Sequence, residues 1–355
     1  MTTTTTTTLL AMGDPQAPLA KVRGVLHHNG LLDDEAQGPL RTGTRLLSIG
    51  DHFDWGRVQD RAQAAADGEA LLSWLAGHDA SQVVLIAGNH DLARVGELLD
   101  VDDDHFARLQ VLADRHYWGD KKQGDDAAFF RACPFLPSTE IVARDLSAYR
   151  ASQGALVKRL LLDWRMRLAH AEGGLLFTHA GITRKALMRL GLDDGCDAGA
   201  AAAALNGALD DAVDRCLRVS PALPLSLPGV HRPADGIGEG DGVVYHRPTF
   251  VDDDVWLEPR RYDPRRLPRG LWQVVGHVRD RRCVSALKSW SEHKQFAVGV
   301  VRYLISSGDD VVYRHGLPPP RAEVPRDAAV VIFIDGAMQE CPADRYELLD
   351  VARVV

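Results

Sequence analysis

The stretch Leu85-Ile86-Ala87-Gly88-Asn89-His90-Asp91 decides how this chain is read. An apolar, β-branched run closes on a glycine, and three hydrogen-bonding side chains follow at once. Such a run predicts a buried strand whose carboxyl end delivers polar groups into a crevice. The arrangement recurs at Leu46–Asp54, Leu175–Gly181 and Val274–His277, and in weaker form at Leu9–Asp14. Five predicted strands, each ending in Asp, Asn or His, point to one metal site assembled from across the chain.

Working outward, Ala17–Leu32 and Val58–Gly77 carry helical spacing between the first three strands. This β-α-β-α-β alternation predicts a mainly parallel sheet with helices on its faces. Residues 92–171 read as mostly helical, with Tyr149–His170 as one long amphipathic helix. Asp102–His105 reads as a capped helix N-terminus rather than a metal cluster, because acids there oppose the helix dipole. Ala198–Arg218 is alanine-rich and helical, whereas Pro221–Pro228 and Asp235–Asp241 are rich in Pro, Gly and Asp. Residues 182–271 are therefore expected to form a cap or irregular insertion over the site. From Ala297 onward short strands are expected, with a hairpin near Ser306–Asp310 and a strand at Val330–Ile334. A second sheet facing the first follows, so the fold class is α/β (α+β). Residues 1–8 read as a threonine-rich tail and 9–355 as a single domain.

The composition narrows the function. The net charge of −8 argues against a dedicated nucleic-acid binder. Five scattered cysteines, with no Cys-x-x-Cys pair, argue against a disulfide framework or thiolate zinc site and fit a reducing cytoplasm. No apolar run reaches membrane-spanning length, and the N-terminus lacks the pattern of a signal peptide.

Carboxylates, imidazoles and an amide oxygen suit hard or borderline divalent ions such as Mn, Fe or Zn. Asp51 follows a glycine and can present its carboxylate between two ions, roughly 3.5–4 Å apart in two-metal sites, which together acidify a shared water. Asn89 can ligate while His90 faces the substrate and protonates a leaving alkoxide. Asp54, three residues after Asp51, is placed to orient and charge-stabilise that histidine.

At these residues the chain resembles the calcineurin-like metallophosphoesterase superfamily. The matching segments are Gly50-Asp51-x-x-Asp54-x-Gly56, Gly88-Asn89-His90-Asp91, Thr178-His179-Ala180-Gly181 and Gly276-His277. The single histidine of the last motif is similar to the branch holding protein Ser/Thr phosphatases and symmetrical diadenosine tetraphosphate hydrolases. Ile334-Asp335-Gly336-Ala337 is similar to that branch's closing strand. The resemblance implies two packed β-sheets flanked by helices and two divalent metal ions. It implies Asp14 and Asp51 on the first metal, Asp51, Asn89, His179 and His277 on the second, and His90 with Asp54 as the general-acid pair. The substrate it implies is phosphorylated: a protein, a dinucleoside polyphosphate or a small phosphomonoester.

Three positions depart from the pattern. Gln16 stands where the first motif usually has His, and its amide oxygen is a weaker metal ligand. Trp55 replaces the phosphate-binding Arg usual after Asp54. The final motif lacks a second histidine. Positive charge for the phosphate is then expected from Arg247 first, or from Arg94, Arg184 or Arg279, since guanidinium matches phosphate with paired hydrogen bonds. Gln16 and Trp55 also motivate a competing reading, a degenerate member that binds phosphorylated ligands without turnover. A nuclease of the same superfamily is disfavoured by the acidic charge.

Overall fold

The computed structural model describes residues 8–35, 38–118, 121–122, 126–236, 240–251 and 260–355. Residues 1–7 of the threonine-rich tail, and 237–239 and 252–259 of the 182–271 segment, lie outside the described residues.

Two mixed sheets carry the architecture. Their strands in chain order are β1 (Thr8–Met12), β2 (Thr44–Ser48), β3 (Val83–Ile86), β4 (Met166–Arg167), β5 (Ala169–Glu172), β6 (Leu175–Thr178), β7 (Trp272–Val275), β8 (Arg302–Ser307), β9 (Asp310–His315), β10 (Ala329–Phe333) and β11 (Leu349–Asp350). The first sheet runs β11-β1-β2-β3-β4, with β1 to β4 parallel and β11 antiparallel. The second runs β9-β8-β10-β7-β6-β5, with a parallel centre, β10-β7-β6, and antiparallel flanks.

The period-2 alternation of strand side chains explains the layering. Leu9, Ala11, Leu47 and Ile86 point inward and meet Phe177, Trp272, Val274, Tyr303 and Ile332 between the sheets. Their neighbours Leu10, Met12 and Leu46 point outward, against the helices Leu19–His28 and Arg61–Ala76. The helix Ala198–Val213 covers the other sheet through Ala201, Leu205 and Leu209 packed with Leu176. Each fully buried Leu, Ile, Val or Met side chain among them contributes about 1.5–3 kcal/mol relative to exposure. This is a mixed α/β sandwich, as expected.

Two local readings can be compared directly. Asp102 does cap a helix, accepting the His105 amide at 2.6 Å ahead of Asp103–His116. Tyr149–His170 is not one helix. It is helical only over Ala151–Leu162, after which Trp164 takes φ 53° and the chain enters β4 and β5. Pairing of Met166 and Arg167 with Leu85 and Ile86 completes the edge of the first sheet and overrides the helical spacing there.

Candidate metal centre

The polar loops all leave the carboxyl ends of parallel strands. Asp14 follows β1, Asp51 follows β2, Asn89 follows β3, His179 follows β6 and His277 follows β7. Gly88 and Gly276, before Asn89 and His277, are required by close approach. A Cβ on Gly88 would lie 2.1 Å from Asp51 Oδ1, and one on Gly276 would lie 2.1 Å from Asp14 Oδ1. Asp51, Asp54 and His277 all hold left-handed backbone, with φ near 60°. Non-glycine residues rarely adopt it, and such strain concentrates at functional sites.

Asp51, His179 and His277 each offer a ligand atom within 4.8 Å of the others, a possible metal-binding triad. His179 Nε2 lies 3.4 Å from Asp51 Oδ2 and 3.1 Å from Asn89 Oδ1. Its Nδ1 sits 2.8 Å from the Ile49 carbonyl, which fixes the proton there and leaves Nε2 to ligate. Asp14 accepts the His277 amide at 3.0 Å and lies 4.0 Å from His179 Nδ1.

The residues fit a divalent cation on two observations. His277 Nε2 is buried and has no hydrogen-bond partner among the described residues. Asp14 is a buried carboxyl held well above its ordinary range, by burial first and then by the charges of Asp335 and Asp51. A bound cation relieves both conditions. Asp51 is driven well below the carboxylate range despite its burial, because His179 and His90 face it. Burial opposes charge on His179, yet Asp51 and Asp14 raise it to about 10.

Beside this set stands a second unit. His90 Nδ1 lies 2.8 Å from Asp54 Oδ2, and its Nε2 lies 3.8 Å from Asp51 Oδ2, so the outer nitrogen faces the possible metal-binding triad. Burial again works against the imidazolium, but Asp51 and Asp54 outweigh it and lift His90 to about 9. Asp54 accepts the Ala148 amide at 3.0 Å and pairs with Arg94 at 2.7 Å.

The four arginines fare differently. Arg94 is enclosed, donates to the His90 carbonyl at 2.8 Å and stacks over Phe53, so its charge reaches the site through Asp54. Arg184 is 3.1 Å from Asp194 and donates to the Leu267 carbonyl. Arg279 reaches Glu340 at 3.3 Å and donates to Gln16 Oε1 at 3.4 Å. Arg279 therefore shares the amide oxygen that Gln16 would offer a metal, taking one of its two lone pairs. Arg247 is half-buried, has no hydrogen-bonded carboxylate partner among the described residues, and its charge helps depress His277. Burial and the neighbouring Arg282 lower Arg247 itself.

Sequence reasoning missed several supporting residues. Asp91 is fully buried and accepts the amides of Gly88 at 2.8 Å, Asp51 at 2.9 Å and His52 at 3.2 Å, clamping two loops together. A carboxylate directly after His90 was a visible signal for it. Arg302, buried in β8, donates to the carbonyls of Val278 and Asp335, tying the His277 loop to the strand end after β10. Tyr245 donates to Glu97 at 2.8 Å and lies edge-on to His277 at 6.5 Å. No local signal marks these last residues, which depend on contacts distant in sequence.

No family model matches the chain, and no curated protein matches it. Among solved structures it is similar to a point mutant of a cold-active protein tyrosine phosphatase, at TM-score 0.41 and 13% identity over 97% of this chain and 74% of that one. A second structure of a cold-active protein tyrosine phosphatase is similar at TM-score 0.37 and 15% identity, over 77% of this chain and 64% of that one.

Proposed function

We propose that this chain is a metal-dependent phosphoesterase of the calcineurin-like kind, hydrolysing phosphate monoesters with two divalent ions. The observation that carries the reading is the meeting of five ligand-type residues (Asp14, Asp51, Asn89, His179 and His277) beside a half-buried His90, held by the enclosed Asp54, whose outer nitrogen faces them. Asp14 and Asp51 would hold the first ion, and Asp51, Asn89, His179 and His277 the second. When bound, Mn, Fe or Zn ions supply charge to the phosphoryl oxygens and lower the pKa of the attacking water.

The remaining roles belong to the chain's own side chains. Arg247 offers its guanidinium to a phosphoryl oxygen. His90 enters as the imidazolium, and Asp54 holds its Nδ1 proton. As water adds to phosphorus and the ester P–O bond breaks, the Nε2 proton passes to the departing alkoxide. The product alcohol leaves neutral and His90 is reprotonated from solvent. Arg94 keeps Asp54 ionised and in place. All five cysteines are free thiols, which supports a cytoplasmic setting. Among the described residues no helix is long and apolar enough to cross a membrane.

The test is hydrolysis of an aryl phosphomonoester with Mn supplied and then chelated, alongside metal analysis. Metal-dependent turnover with about two ions per chain, lowered about 10²–10⁴-fold in His90→Asn with metal retained, is expected. Stoichiometric metal without turnover would replace the enzyme with the binder.

A further inference from the structure

A cavity of about 80 Å³ adjoins the metal centre, with the candidate ligand Asn89 on its wall. Asn89 and Ala93 line it from the helix that carries His90. Asp145 and Leu146 line it from the segment whose Ala148 amide holds Asp54. A leaving group protonated by His90 departs on this side, so the cavity is where the alcohol half of the ester sits. This rests on the phosphoesterase reading above.

The walls of the cavity are acidic. Asp145 and Glu140 stand near its mouth, Glu140 sharing its charge with Arg144 at 3.6 Å. Arg260 is the one cationic side chain among its described lining residues. Glu97 lies behind them and is 6% exposed. Its Oε1 accepts the Ala234 amide at 2.7 Å and the Tyr245 hydroxyl at 2.8 Å. Its Oε2 is buried with no hydrogen-bond partner among the described residues. An enclosed carboxylate oxygen left unpaired is costly, and it is satisfied best by a donor that carries positive charge. Tyr245 connects this carboxylate to the edge of His277, so the acceptor is held in register with the metal ligands.

We infer that the leaving-group pocket takes an alcohol bearing a cationic hydrogen-bond donor, a primary ammonium or guanidinium, with Glu97 as its acceptor. Substrates whose leaving group is itself anionic, as in nucleoside polyphosphates, are disfavoured by Glu97 and Asp145.

Three non-hydrolysable probes of nearly equal size separate the possibilities. These are 2-aminoethylphosphonate, propylphosphonate and 2-carboxyethylphosphonate, which place an ammonium, a methyl and a carboxylate at one position. Their binding to the Mn-loaded protein is measured by calorimetry, in parallel with hydrolysis of 2-aminoethyl phosphate. The ammonium probe is expected to bind about tenfold tighter than the methyl probe, a difference of about 1.4 kcal/mol, and the carboxylate probe weakest. Glu97→Gln, whose amide oxygen can still accept from Ala234 and Tyr245, should bring the ammonium-to-methyl ratio close to one. Asp145→Asn at the mouth should lower it partly, and serves if Glu97→Gln does not fold. A wild-type ratio at or below one, or a ratio untouched by either substitution, overturns the inference. Hydrolysis without discrimination removes the pocket assignment and keeps the phosphoesterase. Discrimination without hydrolysis does the reverse.

Discussion

Asp54→Asn separates what the buried charge network does for stability from what it does for chemistry. Asp54 and Arg94 lie 2.7 Å apart with side chains 2% and 0% exposed, so solvent screens neither. Removing one member of such a pair leaves an uncompensated buried charge and costs about 3–5 kcal/mol. Asparagine cannot relieve this, because its amide donor must face either Arg94 and His90 on one side or the Ala148 amide on the other. With an unfolding entropy of about 2.1 cal/mol/K per residue, the loss lowers the melting temperature by about 5 °C for a chain of this length.

Removing Arg94 as well, in Asp54→Asn/Arg94→Met, deletes both charges. It should restore about 2 kcal/mol or more relative to the single variant. Activity should not return, because His90 still lacks its carboxylate and proton donation is worth about 10²–10⁴ in rate. Urea unfolding in chelator reads the stability, and Mn-dependent ester hydrolysis reads the rate. A double variant no more stable than Asp54→Asn, or one that regains activity, would refute this division of labour. The sign with pH follows from His90, which Asp51 and Asp54 raise to about 9 against the effect of burial. Its stabilising contribution is complete below pH 6.5 and is lost as pH climbs through 9 in the metal-free protein.

His90→Asn should lose about 10²–10⁴ in kcat with metal content unchanged, read by metal analysis beside steady-state kinetics. His277→Ala should release bound metal at chelator concentrations that the wild type withstands, followed by colorimetric metal release. His231→Phe should stabilise the protein, since both ring nitrogens of His231 are buried without partners among the described residues while its ring stacks on Tyr245. The gain is about 1–3 kcal/mol at neutral pH. It should widen in acid, because burial lowers the folded His231 to about 3 and the unfolded chain takes up a proton first, below 6.5; urea unfolding at neutral and mildly acid pH checks both. Arg247→Met should raise KM for a phosphomonoester about tenfold or more with a smaller effect on kcat, whereas Arg184→Met should leave both within about twofold.

Much of the fold was legible because the site-bearing strands are short apolar runs that end in polar residues, four of the five with a glycine directly before Asp14, Asp51, Asn89 or His277. That punctuation is forced by local sterics. Gly88 and Gly276 pass so near the Asp51 and Asp14 carboxylates that no side chain fits. The hairpin at β8 and β9 and the cap at Asp102 were legible for the same reason, since their chemistry is confined to a few adjacent residues. The helix read over Tyr149–His170 went wrong where pairing with β3 took Met166 and Arg167 into a sheet. The arginines show the limit for the site. Arg94, Arg184 and Arg279 each lie within a few residues of a metal motif and Arg247 lies in the segment before the last one. Nothing local separates the enclosed Arg94, the paired Arg184 and Arg279, and Arg247, which has no hydrogen-bonded carboxylate among the described residues.

By itself the sequence determined which residue types stand at the strand ends, and hence that Asp51, Asn89, His179 and His277 form a set with ligand chemistry. Tertiary structure alone decided that Gln16 meets Arg279, that Asp91 and Arg302 brace the loops, and that Glu97 is left with an open acceptor beside the cleft. The reason is physical. A strand-end motif is specified by backbone conformation over a few residues, whereas the partner of a long polar side chain depends on burial and on which distant segments pack around it.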